Sequence, residues 1–274
     1  MRILLPPSEG KQPGGRGRAL TAEPAGNRSA STTEAAGELA RHRAELLAAL
    51  GRLLDQPDAA SALLLPPSVA ESALAINRRA ATAPTLPAMR RYAGTVYQGL
   101  AVTGLSPAAS RLAGTALLIF SGLLGVSRGG DPVPDYRVPA KAVLPGIGVA
   151  GTFWRSRLAG LVPPLLDSGP VIDLRSTDYA AMWQPPAGSE LDGRLIGVRV
   201  LSPTPSGRLA VVSYRSKLAK GRLAAALLER QAAGRRITGP DEVLEIWAGL
   251  GGAGGAPRTA GRGVALDLIE PPAF

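Results

Sequence analysis

The chain has 274 residues, a formal charge of +10, a pI near 10.7, no cysteine and a single histidine. Lack of cysteine excludes disulfides, thiolate metal sites and thiol-based peroxide chemistry, and one histidine excludes a His-rich metal centre. The charge favours polyanionic partners, no apolar run approaches the roughly 18 residues of a membrane span, and a cytoplasmic protein is expected.

Ile3 to Leu5 predicts a short buried strand stopped by Pro6-Pro7. Residues 12–31 are rich in Gly, Pro and Arg without periodicity, which predicts a flexible loop. Thr33-Glu34 opens a helix whose apolar face runs through Leu39, Leu46, Leu47, Leu50, Leu53 and Leu54. His42 falls on the charged side of that helix and is expected in solvent. A second helix is expected from Ser68 to Arg79, with Val69, Leu74 and Ile76 inward. Ala116 to Phe120 predicts another buried strand, followed by a long irregular stretch from Ser127 to Gly151. Loops of that length inside a compact chain are usually functional or disordered.

Further on, Thr152 to Arg155 opens a helix, and Val171 to Leu174 is a strand running into Arg175-Ser176-Thr177-Asp178-Tyr179, where a new helix starts. Leu195 to Leu201 and Leu209 to Tyr214 predict a hairpin, and Ser216 or Lys217 then opens a helix through Arg230. Asp241 to Ala248 is a short helix behind Pro240, residues 251–263 a flexible loop, and Val264 to Ile269 a last strand. Strands and helices alternate irregularly and no repeat is visible. The expectation is a single mixed α/β domain over residues 1–274, with a central mixed sheet flanked by helices.

Only four of the 31 basic residues are lysines. Arg is a permanently charged planar fork, whereas Lys is a compact charge whose pKa burial can lower. In a composition so tilted toward Arg, a lysine marks a place where Arg does not substitute. Lys11 follows the first strand in Ser8-Glu9-Gly10-Lys11, and Lys217 and Lys220 lie together in Ser216-Lys217-Leu218-Ala219-Lys220-Gly221. Lys141 stands apart and is expected at the surface.

Seven segments occur in order: Leu4 to Lys11, Arg91 to Leu100, Phe120 to Val126, Asp135-Tyr136-Arg137, Phe153-Trp154, Asp178-Tyr179 and Ser213 to Gly221. Together they resemble the YaaA family of peroxide-stress proteins, and the resemblance covers nearly the whole chain. It implies a single-domain α/β fold and a cytosolic protein that limits oxidative damage by keeping free iron low. It also implies binding of duplex DNA through a helix-hairpin-helix-like element and a basic cleft, with no firmly attached enzymatic activity. This sequence departs from that pattern at Ala225, where an Arg is expected, and at the Gly-rich run Gly251–Gly255.

The residues carry their own chemistry beside the resemblance. Ser8 and Lys11 have the S-x-x-K spacing of Ser/Lys acyl enzymes, but Pro6-Pro7 and Gly10 argue for a loop, which favours a Lys/Glu ligand site. Lys217, Lys220 and Arg215 near a helix start favour an anion, since free N–H groups gather there. Asp135, Arg137, Arg175 and Asp178 supply both signs of charge, and Tyr97, Ser121 and Tyr136 are candidate pocket walls. Leu144-Pro145-Gly146-Ile147-Gly148 resembles a helix-hairpin-helix turn, but the prolines before it argue for a plain turn.

Two readings follow. In the leading one, Ser8, Lys11, Arg137, Arg175, Lys217, Lys220 and Arg222 hold duplex DNA or another polyanion. In the alternative, the chain is an enzyme acting on a nucleotide, nucleoside or other phosphate-bearing small molecule. There Glu9 or Asp178 would serve as general acid/base and the lysines would bind developing negative charge. Neither reading calls for a cofactor, and no carboxylate or histidine spacing calls for a metal.

Overall fold

A computed structural model describes residues 1–20, 30–191, 193–204, 207–261 and 263–270, with the side chains of residues 30–34 left aside. In chain order the main elements are β1 (Arg2–Leu5), α1 (Ala30–Leu54), α2 (Pro67–Arg78), α3 (Thr95–Leu100), α4 (Pro107–Ala116), β2 (Leu117–Ser121) and β3 (Gly125–Arg128). They continue with α5 (Ala150–Leu161), β4 (Val171–Asp173), α6 (Thr177–Ala180), β5 (Leu195–Pro203), α7 (Ser213–Ala232), α8 (Pro240–Gly249) and β6 (Gly263–Ile269).

The five strands β6, β5, β4, β1 and β2 lie side by side in that order, all parallel. Antiparallel strands close both edges: β3 beside β2, and Ala253–Gly254 beside β6. β1 and β2 are almost wholly buried, as a parallel strand covered on both faces requires. The fold is therefore the mixed α/β architecture expected, with a central mixed sheet flanked by helices.

The strand order has one consequence for function. From β1 the chain crosses to β2 on one side, whereas β4, β5 and β6 build outward on the other. The direction of winding reverses between β1 and β4. Connections leaving the carboxyl ends of two such strands diverge and leave a crevice, where ligands of open α/β sheets bind. Ser8 to Lys11 follow β1 and Asp173 to Tyr179 follow β4, so both candidate segments flank that crevice.

Several expectations need correction. The hairpin partner of β5 is only Leu209–Ala210, and α7 begins at Ser213 rather than at Ser216 or Lys217. Val211, Val212 and Tyr214 are 59%, 37% and 60% exposed, so the apolar residues that suggested a strand have no sheet to cover. Residues 251–263 contain two short strands, Ala253–Gly254 and Arg258–Ala260, both paired with β6. Residues 12–18 do not wander freely either. Lys11 bridges to Tyr92 and Gly17 to Thr85, which lays this segment along residues 85–92; residues 21–29 fall outside the described part. Val69 is exposed, not inward; Leu74 packs partly buried against the core as expected, and the fully buried residues of α2 are Ala73 and Asn77. His42 is not a solvated bystander. Its side chain is 16% exposed, it lies between Glu38 and Glu45, and its ring meets Phe153 and Trp154 edge-on.

Leu144 to Gly148 form a tight hairpin between Val143–Leu144 and Gly148–Val149, and the residues just before it are not helical. The plain turn predicted from the prolines is what forms.

Candidate functional site

The loop after β1 is fixed by the segment before α3. Ala93 N donates to Gly10 O at 2.9 Å and Gln12 N to Arg91 O at 2.8 Å. Arg91 is fully buried, and its guanidinium donates to the carbonyls of Gln12, Gly14, Pro84 and Val133. Gly94 lies so close that a Cβ there would sit 2.3 Å from Ser8 Oγ. Two segments about eighty residues apart in sequence are thus one structural unit, which holds Lys11 in place.

Lys11 Nζ donates to the Ser8 carbonyl at 2.8 Å and stands 4.1 Å from the centre of the Tyr136 ring and 5.3 Å from that of Tyr92. Ring faces attract a cation, but enclosure opposes one. Burial, aided by the neighbouring Arg137 guanidinium, pulls the amine from its usual value to about 7, against the opposing pull of Asp135 and Glu9. The Ser8 hydroxyl donates to Gly10 O at 2.7 Å, while Lys11 bonds the Ser8 carbonyl. This loop therefore holds no Ser/Lys acyl-transfer pair.

Behind Lys11 stands a tyrosine wall. The Tyr92 and Tyr136 hydroxyls are 2.6 Å apart, the Ser121 hydroxyl lies beside both, and burial raises both phenols above their usual pKa. Tyr97 packs on Tyr92 with ring centres 5.3 Å apart and donates to Pro6 O at 2.8 Å. Tyr97 and Ser121 thus support the wall, and Tyr136 forms its face.

In front of the wall is a shallow, solvent-open cleft lined among others by Ser8, Glu9, Lys11, Leu65, Tyr136, Arg137 and Tyr179. Arg137 Nη1 is 2.5 Å from Asp135 Oδ1, and the Arg137 backbone is clamped by the Asn77 amide at 2.7 and 2.9 Å. Tyr179 enters from the α6 side, its phenol raised by burial. Glu9 is an exposed carboxylate of the same lining. Asp178, the other candidate acid/base, pairs at 3.0 Å with Lys141 in a bridge whose two side chains are 48% and 65% exposed. In an exposed pair of that kind the two charges gain little from each other.

The remaining cations are placed differently from expectation. Arg175 has no exposed side-chain surface. It forms a two-pronged pair with Asp173 at 2.7 and 2.9 Å, donates to Tyr179 O and Trp183 O, and packs over Phe120. Burial pushes the Asp173 carboxyl up, but the charge and hydrogen bonds of Arg175 bring it below its usual value. Lys220 Nζ donates to the carbonyls of Leu174 and Arg175, both at 3.2 Å, and caps the end of β4; burial lowers its pKa. Lys217 is exposed in the second turn of α7, beyond the first turn where the helix dipole acts. Arg222 lies where α7 crosses α3. Lys11 and Lys220 therefore serve different groups.

Sequence reasoning missed Tyr92, Arg91, Asn77 and Tyr179 as parts of the site. Tyr92, Arg91 and Tyr179 lay inside segments already singled out, but nothing local distinguishes a wall tyrosine from a core one. Asn77 had one usable signal, an amide at helical spacing from Ala73 on the buried face. Among the described residues no group of three or more His, Asp or Glu side chains gathers to hold a metal ion, and no helix is long and apolar enough to cross a membrane.

This geometry can be set beside known proteins. A family model described as peroxide stress protein YaaA matches residues 1–239. The chain belongs to the YaaA family. A UPF0246 protein of Streptomyces coelicolor is 39% identical over 199 residues, covering 72% of this chain and 73% of its own. One of Corynebacterium efficiens is 35% identical over 254 residues, covering 92% and 93%. One of Salinispora tropica is 28% identical over 163 residues, covering 58% of each chain. The match to the YaaA model takes in Lys11, the tyrosine wall, Arg137, Tyr179 and both lysines of α7; β6 lies beyond it.

Proposed function

We propose that this YaaA-family chain is a cytoplasmic stress-response protein that works by binding a small anionic, hydrogen-bonding metabolite in the Lys11 cleft. The ligand class is a phosphate- or carboxylate-bearing compound, nucleotides included. One observation carries the reading: Lys11, Glu9, Arg137 and Tyr179 line one cleft at the point where the sheet reverses its winding. Mixed charge, an aromatic wall and backbone carbonyls suit a compact polar ligand better than a row of phosphates. The peroxide-stress description of the family supports the physiological setting.

The second reading, duplex DNA on the outer surface, is favoured by the +10 charge. Counting against a basic groove is the enclosure of Arg175 and the engagement of Lys220 with carbonyls. Thermal-shift assays with inorganic phosphate, small carboxylates and nucleoside phosphates test the cleft. Ligand at 100 times Kd stabilises by about 2.7 kcal/mol, so a true ligand gives a clear shift in the wild type and in Lys217→Met. Lys11→Met is expected to lose it. No shift from any compound, or equal losses in both variants, would refute the proposal.

A further inference from the structure

Three of the four lysines have plain placements: Lys141 pairs with Asp178, Lys220 bonds two carbonyls, and Lys217 is exposed on α7. Lys11 lines the cleft, and its surroundings are wrong for a lysine that only attracts anions. A permanently charged Arg would serve that purpose better, and this chain uses Arg at 27 of its 31 basic positions. Instead an amine stands among groups that strip its charge. Tyr136 and Tyr92 enclose it, and the cations of Arg137 and Arg91 oppose protonation against the carboxylates of Asp135 and Glu9. Desolvation plus a neighbouring cation is how a lysine is made nucleophilic.

We propose that Lys11 forms a Schiff base with a small aldehyde or ketone carrying a carboxylate or phosphate. This inference rests on the cleft being the ligand site. Arg137 holds the anionic end, and Glu9, exposed at the mouth, exchanges protons with water. Lys11 lines the cleft, and its Nζ donates to the Ser8 carbonyl and stands 4.1 Å from the centre of the Tyr136 ring. The C–N bond forms as the carbonyl π pair moves onto oxygen, and a proton passes from nitrogen to that oxygen, giving a carbinolamine. A proton drawn from water and relayed by Glu9 then adds to the hydroxyl, the C–O bond breaks, and water leaves with the nitrogen lone pair forming the C=N bond. The sum is amine plus carbonyl plus one proton to iminium plus water, with no oxidant or reductant.

The chain's scarcity of lysine makes the test clean. The protein is incubated with glyoxylate and cyanoborohydride at pH 7, and the reduced adduct is mapped by peptide mass spectrometry. With its amine lowered to about 7, Lys11 is expected to be labelled faster than the exposed Lys141 and Lys217 by on the order of 100-fold. Inorganic phosphate should slow labelling at Lys11 but leave Lys141 and Lys217 unaffected, a check independent of any variant's folding. Lys11→Arg should lose the fast adduct. Labelling spread evenly over the lysines, or a fast adduct insensitive to phosphate, overturns the proposal. If phosphate raises the melting temperature but no fast adduct forms, the Schiff base fails and the binding reading stands. If neither occurs, both fail.

Discussion

Lys11 carries a cost to folding that its position in the cleft imposes. In the unfolded chain the amine titrates near its ordinary value, whereas in the fold it is held near 7. Between these values the unfolded state binds the extra proton, so stability rises with pH across that interval. The penalty is fully present below about pH 7 and gone above the unfolded value. Lys11→Met removes it, and the variant is expected to melt several degrees higher than the wild type at pH 6. That gain should fade toward pH 10 in a thermal melt series; a gain independent of pH would contradict the assignment. Asp173 behaves in the opposite sense. Its folded pKa is depressed by Arg175, so its contribution is present above the unfolded value and lost as pH falls. Asp173→Ala leaves Arg175 buried without its partner, and should cost about 3–5 kcal/mol in chemical denaturation. Replacing both residues by apolar ones should cost less than the single change.

At the scale of elements, the junction of α3 with α7 holds the site together. The two helices touch backbone to backbone: a Cβ on Gly99 would lie 2.1 Å from Leu218 O, and one on Gly221 would lie 2.0 Å from Val96 O. Only glycine permits that approach. The crossing sets α3, whose Tyr97 hydroxyl reaches back to Pro6 O beside the Lys11 loop. It also sets α7, whose Lys220 caps β4 and whose Glu229 accepts from the Ser106 backbone and hydroxyl at 2.7 and 2.8 Å. Gly221→Ala should therefore destabilise by about 3 kcal/mol through overpacking, although Ala is the better helix former by about 1 kcal/mol. The same variant should weaken anion binding at the cleft. A neutral or stabilising effect in urea denaturation would show that the helices can part without consequence.

Across the whole molecule, the sequence made the strands and long helices legible because their signals are local: apolar runs for β1, β2 and β4, and helical spacing of Leu46, Leu50 and Leu53 in α1. The motif glycines were visible, but the crossing of Gly99 with Gly221 was not, because it joins helices over a hundred residues apart. The start of α7 was misplaced because Val211 and Val212 mimic a strand until their exposure is known. Charge is the signal hardest to read from sequence at the site. Lys220 and Arg175 look like anion ligands in sequence, yet one bonds carbonyls and the other a buried carboxylate, a distinction only packing makes. Net charge still predicts behaviour at this scale: any duplex binding through scattered surface arginines should weaken steeply between 50 and 200 mM salt, and Lys11→Met should leave it unchanged.

The most direct test of the cleft is the titration of the four lysine amines by NMR, with and without inorganic phosphate. The Lys11 resonance is expected to titrate near 7 and to move to higher pH when phosphate binds, since an anion favours the charged amine. A Lys11 amine that titrates at the ordinary lysine value, or that ignores phosphate, would contradict it.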